Sequence, residues 1–408
     1  MSTMPSSRTV LEMRDYLSPL LRFTTTSTHA VSGRSDPQAC DFSFGNPHDM
    51  PLPAVETALA RGVKARDKDW FAYKMSEPES VSAVLPTLKA RLGIDFDSRD
   101  IFMTNGAFGA LAASMRSILD PGDEVIYLSP PWFFYVPMLL SLGAIPVRID
   151  LPEPAFELPL KAIAAAITDR TRAVIVNSPH NPSGRIYRTE ELERLGESLE
   201  TASESRERSI YLLSDEAYNR IIFDGRTFAS PVTHYRRTML LYTYGKTLLA
   251  PGQRIGYIAL PPSMPDREDL RQAIFTAQLA TAWAFPNALM QHALADLETA
   301  SIDVAVLQRR RDRMVAELTE MGYEPVMPEG TFYVIVRSPL ADDERFAEEL
   351  AAEKVFVLPG TVFDLPGWFR ISLTANDDMV ERALPVFRRV LEGLKTPGRP
   401  RELDGGAL

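Results

Sequence analysis

Between residues 100 and 260, short apolar runs rich in β-branched and aromatic residues alternate with stretches whose apolar positions fall three and four apart. The first pattern predicts strands at 101–104, 124–128, 145–149, 173–176, 210–213, 239–242 and 255–259. The second predicts helices at 107–119, 133–142, 158–167 and 189–199. Such alternation implies a large α/β domain whose mainly parallel sheet is sandwiched by helices. From about 262 to 321 the spacing is helical, after which strands at 332–336, 355–358 and 368–372 interleave with helices at 342–353 and 377–394. That predicts a smaller α+β domain. Residues 10–23 are loosely amphipathic, broken at Pro19, and lead into the polar run 24–28, which reads as an arm and a flexible connector. The expected division is 1–48 for the arm and part of the small domain, 49–298 for the large domain, 299–395 for the small C-terminal domain and 396–408 for a flexible tail.

Composition changes this picture at few points. The chain of 408 residues, 45% of them hydrophobic, can bury a sizeable core. A net charge of -10 argues against a sequence-independent hold on nucleic acid or anionic membrane, so small molecules are the expected partners. Cys40 is the only cysteine, which leaves no internal disulfide and no multi-thiolate metal site, and no metal is expected. The first residues lack the pattern of a secretory signal and no apolar run is long enough to cross a bilayer, so a cytoplasmic location is expected.

In sheets of this kind ligands bind beyond the carboxyl ends of the strands. After 239–242 comes Thr243-Tyr-Gly-Lys246, with Arg254 following in a turn and return. One cation can bond covalently to an aldehyde while the other holds an anion, and pyridoxal phosphate needs both. After 101–104, Asn105-Gly106-Ala107-Phe108-Gly109 opens a helix with small residues, which lets backbone amides approach a phosphate. After 124–128 comes Ser129-Pro-Pro-Trp132-Phe-Phe-Tyr135. A row of aromatics serves a core as readily as a site; beside the prolyl turn, Trp132 is the ring expected to lie flat on a planar ligand.

Two further strand ends complete the set. After 173–176, Asn177-Ser-Pro-His180-Asn181-Pro182-Ser-Gly184 predicts a rigid loop in which Asn181 offers its amide to a phenolic oxygen, with a cis bond at Pro182 as one option. His180 reads as structural. After 210–213 comes Ser214-Asp215-Glu216-Ala217-Tyr218. An acid at the end of so apolar a strand requires a cationic or hydrogen-bonding partner, which a protonated pyridine nitrogen supplies. Tyr218 is placed to donate to the same phenolic oxygen as Asn181, and Glu216 reads as a structural or surface acid.

With these motifs in this order, the chain resembles the class I and II aminotransferases, pyridoxal-phosphate enzymes of fold type I typified by aspartate aminotransferase. The resemblance spans nearly the whole chain and includes Phe44-Gly45-Asn-Pro, Asp120-Pro-Gly-Asp-Glu-Val, Pro359-Gly-Thr-Val-Phe363 and Phe369-Arg370-Ile-Ser. It implies that Lys246 forms a Schiff base with the cofactor and then moves a proton between the substrate α-carbon and the cofactor. It also implies that Asp215 pairs with the pyridinium, Asn181 and Tyr218 hold the phenolate, and Trp132 stacks on the ring. Arg254, Thr243 and the amides around Gly106, Ala107 and Phe108 would bind phosphate. Tyr73 matches a tyrosine that reaches the neighbouring subunit's phosphate, which implies a homodimer with shared sites. Gly45, Asn181 and Arg370 would hold the substrate, Arg370 gripping its carboxylate through a planar fork. Two positions depart from the family: Thr243 stands where serine is usual, and Gly245 where serine or alanine is usual, which is expected to loosen the backbone before the lysine.

Aspartate-type enzymes take the distal carboxylate with an arginine further along the other subunit. Here no Lys or Arg lies between Arg271 and Arg309. The expected donor is therefore an apolar, aromatic or unusual L-amino acid rather than aspartate, with a 2-oxo acid as acceptor. Lyases and oxidases use the same scaffold and stay open. α-Oxoamine synthases stack a histidine on the ring, so Trp132 counts against them. A ligand sensor fused to a DNA-binding module fits poorly, since only roughly forty residues, not basic ones, precede the catalytic-like region.

Overall fold

The structure is a computed structural model that describes residues 7–33 and 36–395, so the tail expected at 396–408 lies outside the described residues. A short strand β1 (Cys40–Asp41) precedes the central sheet, whose strands are β2 (Ile101–Thr104), β3 (Glu124–Ser129), β4 (Ile145–Asp150), β5 (Thr171–Asn177), β6 (Tyr211–Asp215), β7 (Thr238–Thr243) and β8 (Gly256–Ala259). Their spatial order is β2-β8-β7-β6-β5-β3-β4. All pairs are parallel except those of β8, which runs antiparallel to both β2 and β7. Between β7 and β8 the chain holds only the helical turn Tyr244–Thr247 and a reversal, so it comes straight back instead of crossing over.

The near-continuous apolar runs follow from burial on both faces. Ile175, Leu213 and Met239 join a core with Leu111, Met115 and Ile274 from the helices Gly106–Ile118 and Arg267–Ala280. Their sequence neighbours Val174, Val176 and Leu212 point the other way, onto Leu192, Leu195 and Leu199 of the helix Thr189–Ser205. Strand β4 at the sheet edge is partly exposed.

The remaining strands are β9 (Glu324–Pro325), β10 (Tyr333–Arg337), β11 (Val355–Phe356), β12 (Leu358–Pro359) and β13 (Trp368–Ser372). Four of them form an antiparallel sheet in the order β12-β13-β10-β9. The single strand expected at 355–358 divides, because β11 pairs in parallel with β1 while β12 pairs with β13. Phe42 from the N-terminal segment is buried with Phe332, Phe346, Phe369 and Phe387 in the core of this unit.

The amphipathic stretch at 10–23 is two helices, Arg8–Tyr16 and Ser18–Thr25. Pro19 sits in the first turn of the second, where its missing N–H loses no helical bond. The first helix packs on the helix Tyr135–Ser141, and the Tyr16 hydroxyl donates to Asp364 at 2.9 Å. Phe23, in the second, is buried and stacks on His29 at 4.9 Å. No helix among the described residues is long and apolar enough to cross a membrane.

Beneath the Tyr244–Thr247 turn lies a buried charge pair. Arg220 donates to Glu298 at 2.6 Å, with side chains 10% and 3% exposed, and the Tyr244 hydroxyl donates to the same carboxylate. The guanidinium also lies over the Tyr242 and Tyr244 rings, 4.6 and 5.5 Å from their centroids. Removing one partner of such a pair leaves a buried charge uncompensated. Glu298→Ala is therefore expected to lower the unfolding free energy by about 3–5 kcal/mol, and Glu298→Gln by less, as measured by chemical denaturation.

Candidate active site

Strand register brings the functional residues to one end of the sheet. Asn177 at the end of β5 lies opposite Asp215 at the end of β6, and Asp215 lies opposite Leu241 of β7. On the other side, Gly256 pairs with both Thr243 and Thr104, which draws Arg254 and Gly106 together. These ends open into a cavity of about 420 Å³, with Lys246, Arg254 and Arg370 among its lining residues.

None of these three cations has a carboxylate partner among the described residues. Arg254 donates to the Pro251 carbonyl at 2.7 Å. Arg370, only 2% exposed, donates to Asn181 Oδ1 and to the Ser43 carbonyl at 3.1 Å each, and its Nε has no partner. Burial disfavours the charged form of both arginines and pulls their pKa down. The Lys246 amine lies 5.5 Å from the ring centroids of Tyr218 and Phe332. Among the described residues, the one acid lining the cavity is Asp215. A cavity of mixed lining that, among the described residues, holds three cations against one carboxylate suits an anionic ligand.

The helix Gly106–Ile118 begins at the cavity, where Ala107 and Phe108 line the wall. Gly106 has φ +74°, and a Cβ there would lie 2.9 Å from Arg254 Nη2 and 3.2 Å from Thr243 Oγ1. Glycine thus leaves the helix N-terminus, the guanidinium and the hydroxyl converging on one point, as a phosphate requires. Thr243 accepts from the Gly245 amide at 3.4 Å. Gly245 stands inside a packed turn. It is buried, and a Cβ would stand 3.2 Å from the Pro251 Cα, so close packing accounts for its small size.

Asn177 Nδ2 donates to the Asp215 carbonyl at 2.9 Å, and its Oδ1 accepts from the Asn181 amide at 2.7 Å, which fixes the Asn181 loop to the neighbouring strand. The Asn181–Pro182 bond is cis. His180 is 1% exposed, with Nδ1 2.7 Å from the Ser183 hydroxyl, and burial pushes its pKa down to about 3, so it stays neutral. Glu216 is fully buried and accepts from Ser214, Asn219 and Ser230, a structural acid with no surface face.

Trp132, Tyr218 and Gly45 also line the cavity. Trp132 is propped edge-on by Phe108 at 4.8 Å and Phe134 at 5.2 Å. Tyr73 does not reach the cavity of its own chain. It is 86% exposed, against Phe285 at 4.9 Å.

Sequence reasoning missed Tyr135 and Tyr333. The Tyr135 hydroxyl donates to Asp215 Oδ2 at 2.6 Å, deep in the core, while Oδ1 accepts from the Ala217 amide at 3.2 Å. Burial pushes the Asp215 pKa up and these two donors oppose it. A signal existed, since Tyr135 ends the aromatic row that begins at Trp132. For Tyr333, after an unremarked Gly330-Thr-Phe, there was none.

A family model described as "Aminotransferase class I and II" matches residues 37–387. The chain belongs to the class I and II aminotransferases. It is 33% identical over 84% of its length to the aspartate/prephenate aminotransferase of Thermus thermophilus, covering 89% of that protein. The aspartate aminotransferase of Thermotoga maritima is 30% identical, over 84% of this chain and 89% of the relative. The crystal structure of an amino transferase from Eubacterium rectale matches 96% of this chain and 100% of its own, with a TM-score of 0.85 at 27% identity. Pyridoxal phosphate is the cofactor of this aminotransferase, and the Gly106 cradle, the unpaired cations and the buried Asp215 fit it. Both named relatives act on aspartate by name, so they lend no support to excluding that donor.

The bond from Tyr135 favours the ionised form of Asp215. In Tyr135→Phe one donor is lost and the carboxyl pKa rises further, so the acid limb of kcat against pH should move to higher pH. At neutral pH kcat should fall about tenfold, the scale of a hydrogen bond to a charged group, with little change in the melting temperature.

Proposed function

We propose that this aminotransferase moves the amino group of an L-amino acid with an apolar or aromatic side chain to a 2-oxo acid. The observation that carries the reading is the set of three cations without carboxylate partners in one cavity. Arg254, Thr243 and the amides at the start of the helix would hold the phosphate, and Arg370 the substrate carboxylate. Lys246 would bond to the cofactor, then carry a proton to and from the substrate α-carbon. Pyridoxal phosphate, when bound, supplies a ring that takes up the electrons left on that carbon. Asp215 would keep the ring nitrogen protonated, Asn181 and Tyr218 would orient the phenolic oxygen, and Trp132 would hold the ring face.

With each cation engaged in this way, none lining the cavity is left for a second substrate carboxylate. Phe44, Phe108 and Trp132 supply apolar wall instead. The relatives' names weigh toward aspartate, and the lack of any Lys or Arg between Arg271 and Arg309, the stretch from which a second subunit would reach the distal carboxylate, weighs against it. The family match favours transamination over the lyase and oxidase chemistries of the same scaffold. A second copy of the chain would bring the exposed Tyr73 to the phosphate end, and the division near residues 48 and 298 belongs to the same proposal.

Lys246→Ala is expected to abolish turnover and to lose the visible absorbance that survives dialysis in the wild type. Full colour and full activity in that variant would end the proposal. A donor panel against 2-oxoglutarate should rank phenylalanine, tyrosine or leucine above aspartate. Aspartate far ahead of every apolar donor would overturn the side-chain assignment, and turnover without any 2-oxo acid would overturn transamination.

A further inference from the structure

We propose that Tyr333 is a positioning residue with two separable functions: its ring supports Arg370 in the absence of a carboxylate, and its hydroxyl holds Tyr218 in place. The inference rests on the proposed role of Arg370 in gripping the substrate carboxylate.

Strand pairing sets the first contact. Tyr333 on β10 lies opposite Ser372 on β13, and Arg370 lies opposite Ile335. Tyr333 and Arg370 are therefore diagonal neighbours on one face of the sheet, within reach of long side chains. The guanidinium carbon sits 3.9 Å from the Tyr333 ring centroid. Arg370 and Tyr333 are 2% and 4% exposed. A guanidinium this deep, bonded only to an amide oxygen and a carbonyl, needs a further source of negative potential, and the ring face provides it. The support persists when no substrate is bound, so the fork stays aimed at the cavity.

The hydroxyl forms the second contact. Inside the core the Tyr333 and Tyr218 rings meet edge to face, their centroids 6.0 Å apart, and each hydroxyl acts on the other's protonation. The Tyr333 oxygen also presses on Gly45, where a Cβ would lie 2.7 Å from it. Burial favours the neutral form of both hydroxyls; at Tyr333 the positive charge of Arg370 and Lys246 outweighs it, while Tyr218 holds its proton more tightly. Tyr218 in turn faces Asp215 and the Lys246 amine. The pair thus connects the end of the cavity that takes the carboxylate to the end that takes the phenolic oxygen.

The holoenzyme separates the two functions. Tyr333→Phe keeps the ring and loses the hydroxyl. The pH midpoint of the bound cofactor's visible band should shift and kcat should fall about three- to tenfold, the scale of one hydrogen bond, with KM for the best donor of the panel unchanged. Tyr333→Leu loses the ring, and KM should rise by about 30-fold, the scale of a desolvated cation–π contact. Tyr333→Met replaces it if the leucine variant does not fold. An unshifted midpoint in Tyr333→Phe, or an unchanged KM in the ring-less variant, overturns the proposal. Arg370→Lys is the reference. If it leaves KM unchanged, the carboxylate reading fails and takes this inference with it; if it raises KM while the ring-less variant does not, only the Tyr333 inference fails.

Discussion

Positive charge held in a cavity of mixed lining, without a carboxylate partner for each cation, is the constraint around which this site is arranged. Burying a cation is unfavourable unless hydrogen bonds, ring faces or an anion compensate it. Arg370 has a carbonyl, an amide oxygen and a ring face; Arg254 has one carbonyl. Neither set matches what a phosphate or carboxylate would supply. An anionic ligand would complete the cavity, and under the roles proposed for Arg254 and Arg370 the same physical term governs affinity for cofactor and for substrate.

Elsewhere among the described residues, buried acids have charged or hydrogen-bonding partners within the chain. Glu298 takes Arg220 and Tyr244, Asp100 takes Arg271 at 2.7 Å and Arg267 at 3.3 Å, and Glu216 takes three side-chain donors. These sites pin the elements that surround the cavity, including the turn that carries Lys246. The contrast separates structural charge, satisfied within the chain, from functional charge, which awaits a ligand.

The reversal of β8 is what makes the proposed phosphate end possible. Because β8 runs against β2 and β7, its first residue lies beside the last residue of each. The residues just before β8 and just after β2 and β7 therefore meet, although Gly106 and Arg254 are far apart in the chain. An all-parallel sheet would have put Arg254 at the opposite end.

Much was legible in the sequence because burial on both faces leaves a strong mark: the seven central strands and the helices between them could be read from residue type, and the residues singled out at the strand ends do line one cavity. Asp215 was legible because an acid after so apolar a strand demands a partner, and Lys246 because a lysine followed by an arginine just past a strand suits one particular cofactor. What only the tertiary structure decided depends on residues distant in sequence. Periodicity carries no strand direction, so the reversal of β8 and the split of 355–358 between two sheets stayed hidden. The tightness around Gly245 comes from Pro251, and the hydrogen bond from Tyr135 to Asp215 spans two strand ends. The stacking of Tyr333 under Arg370 is a diagonal across an antiparallel pair. A linear pattern records which side chains are buried, but their mutual distances arise only when the sheet forms.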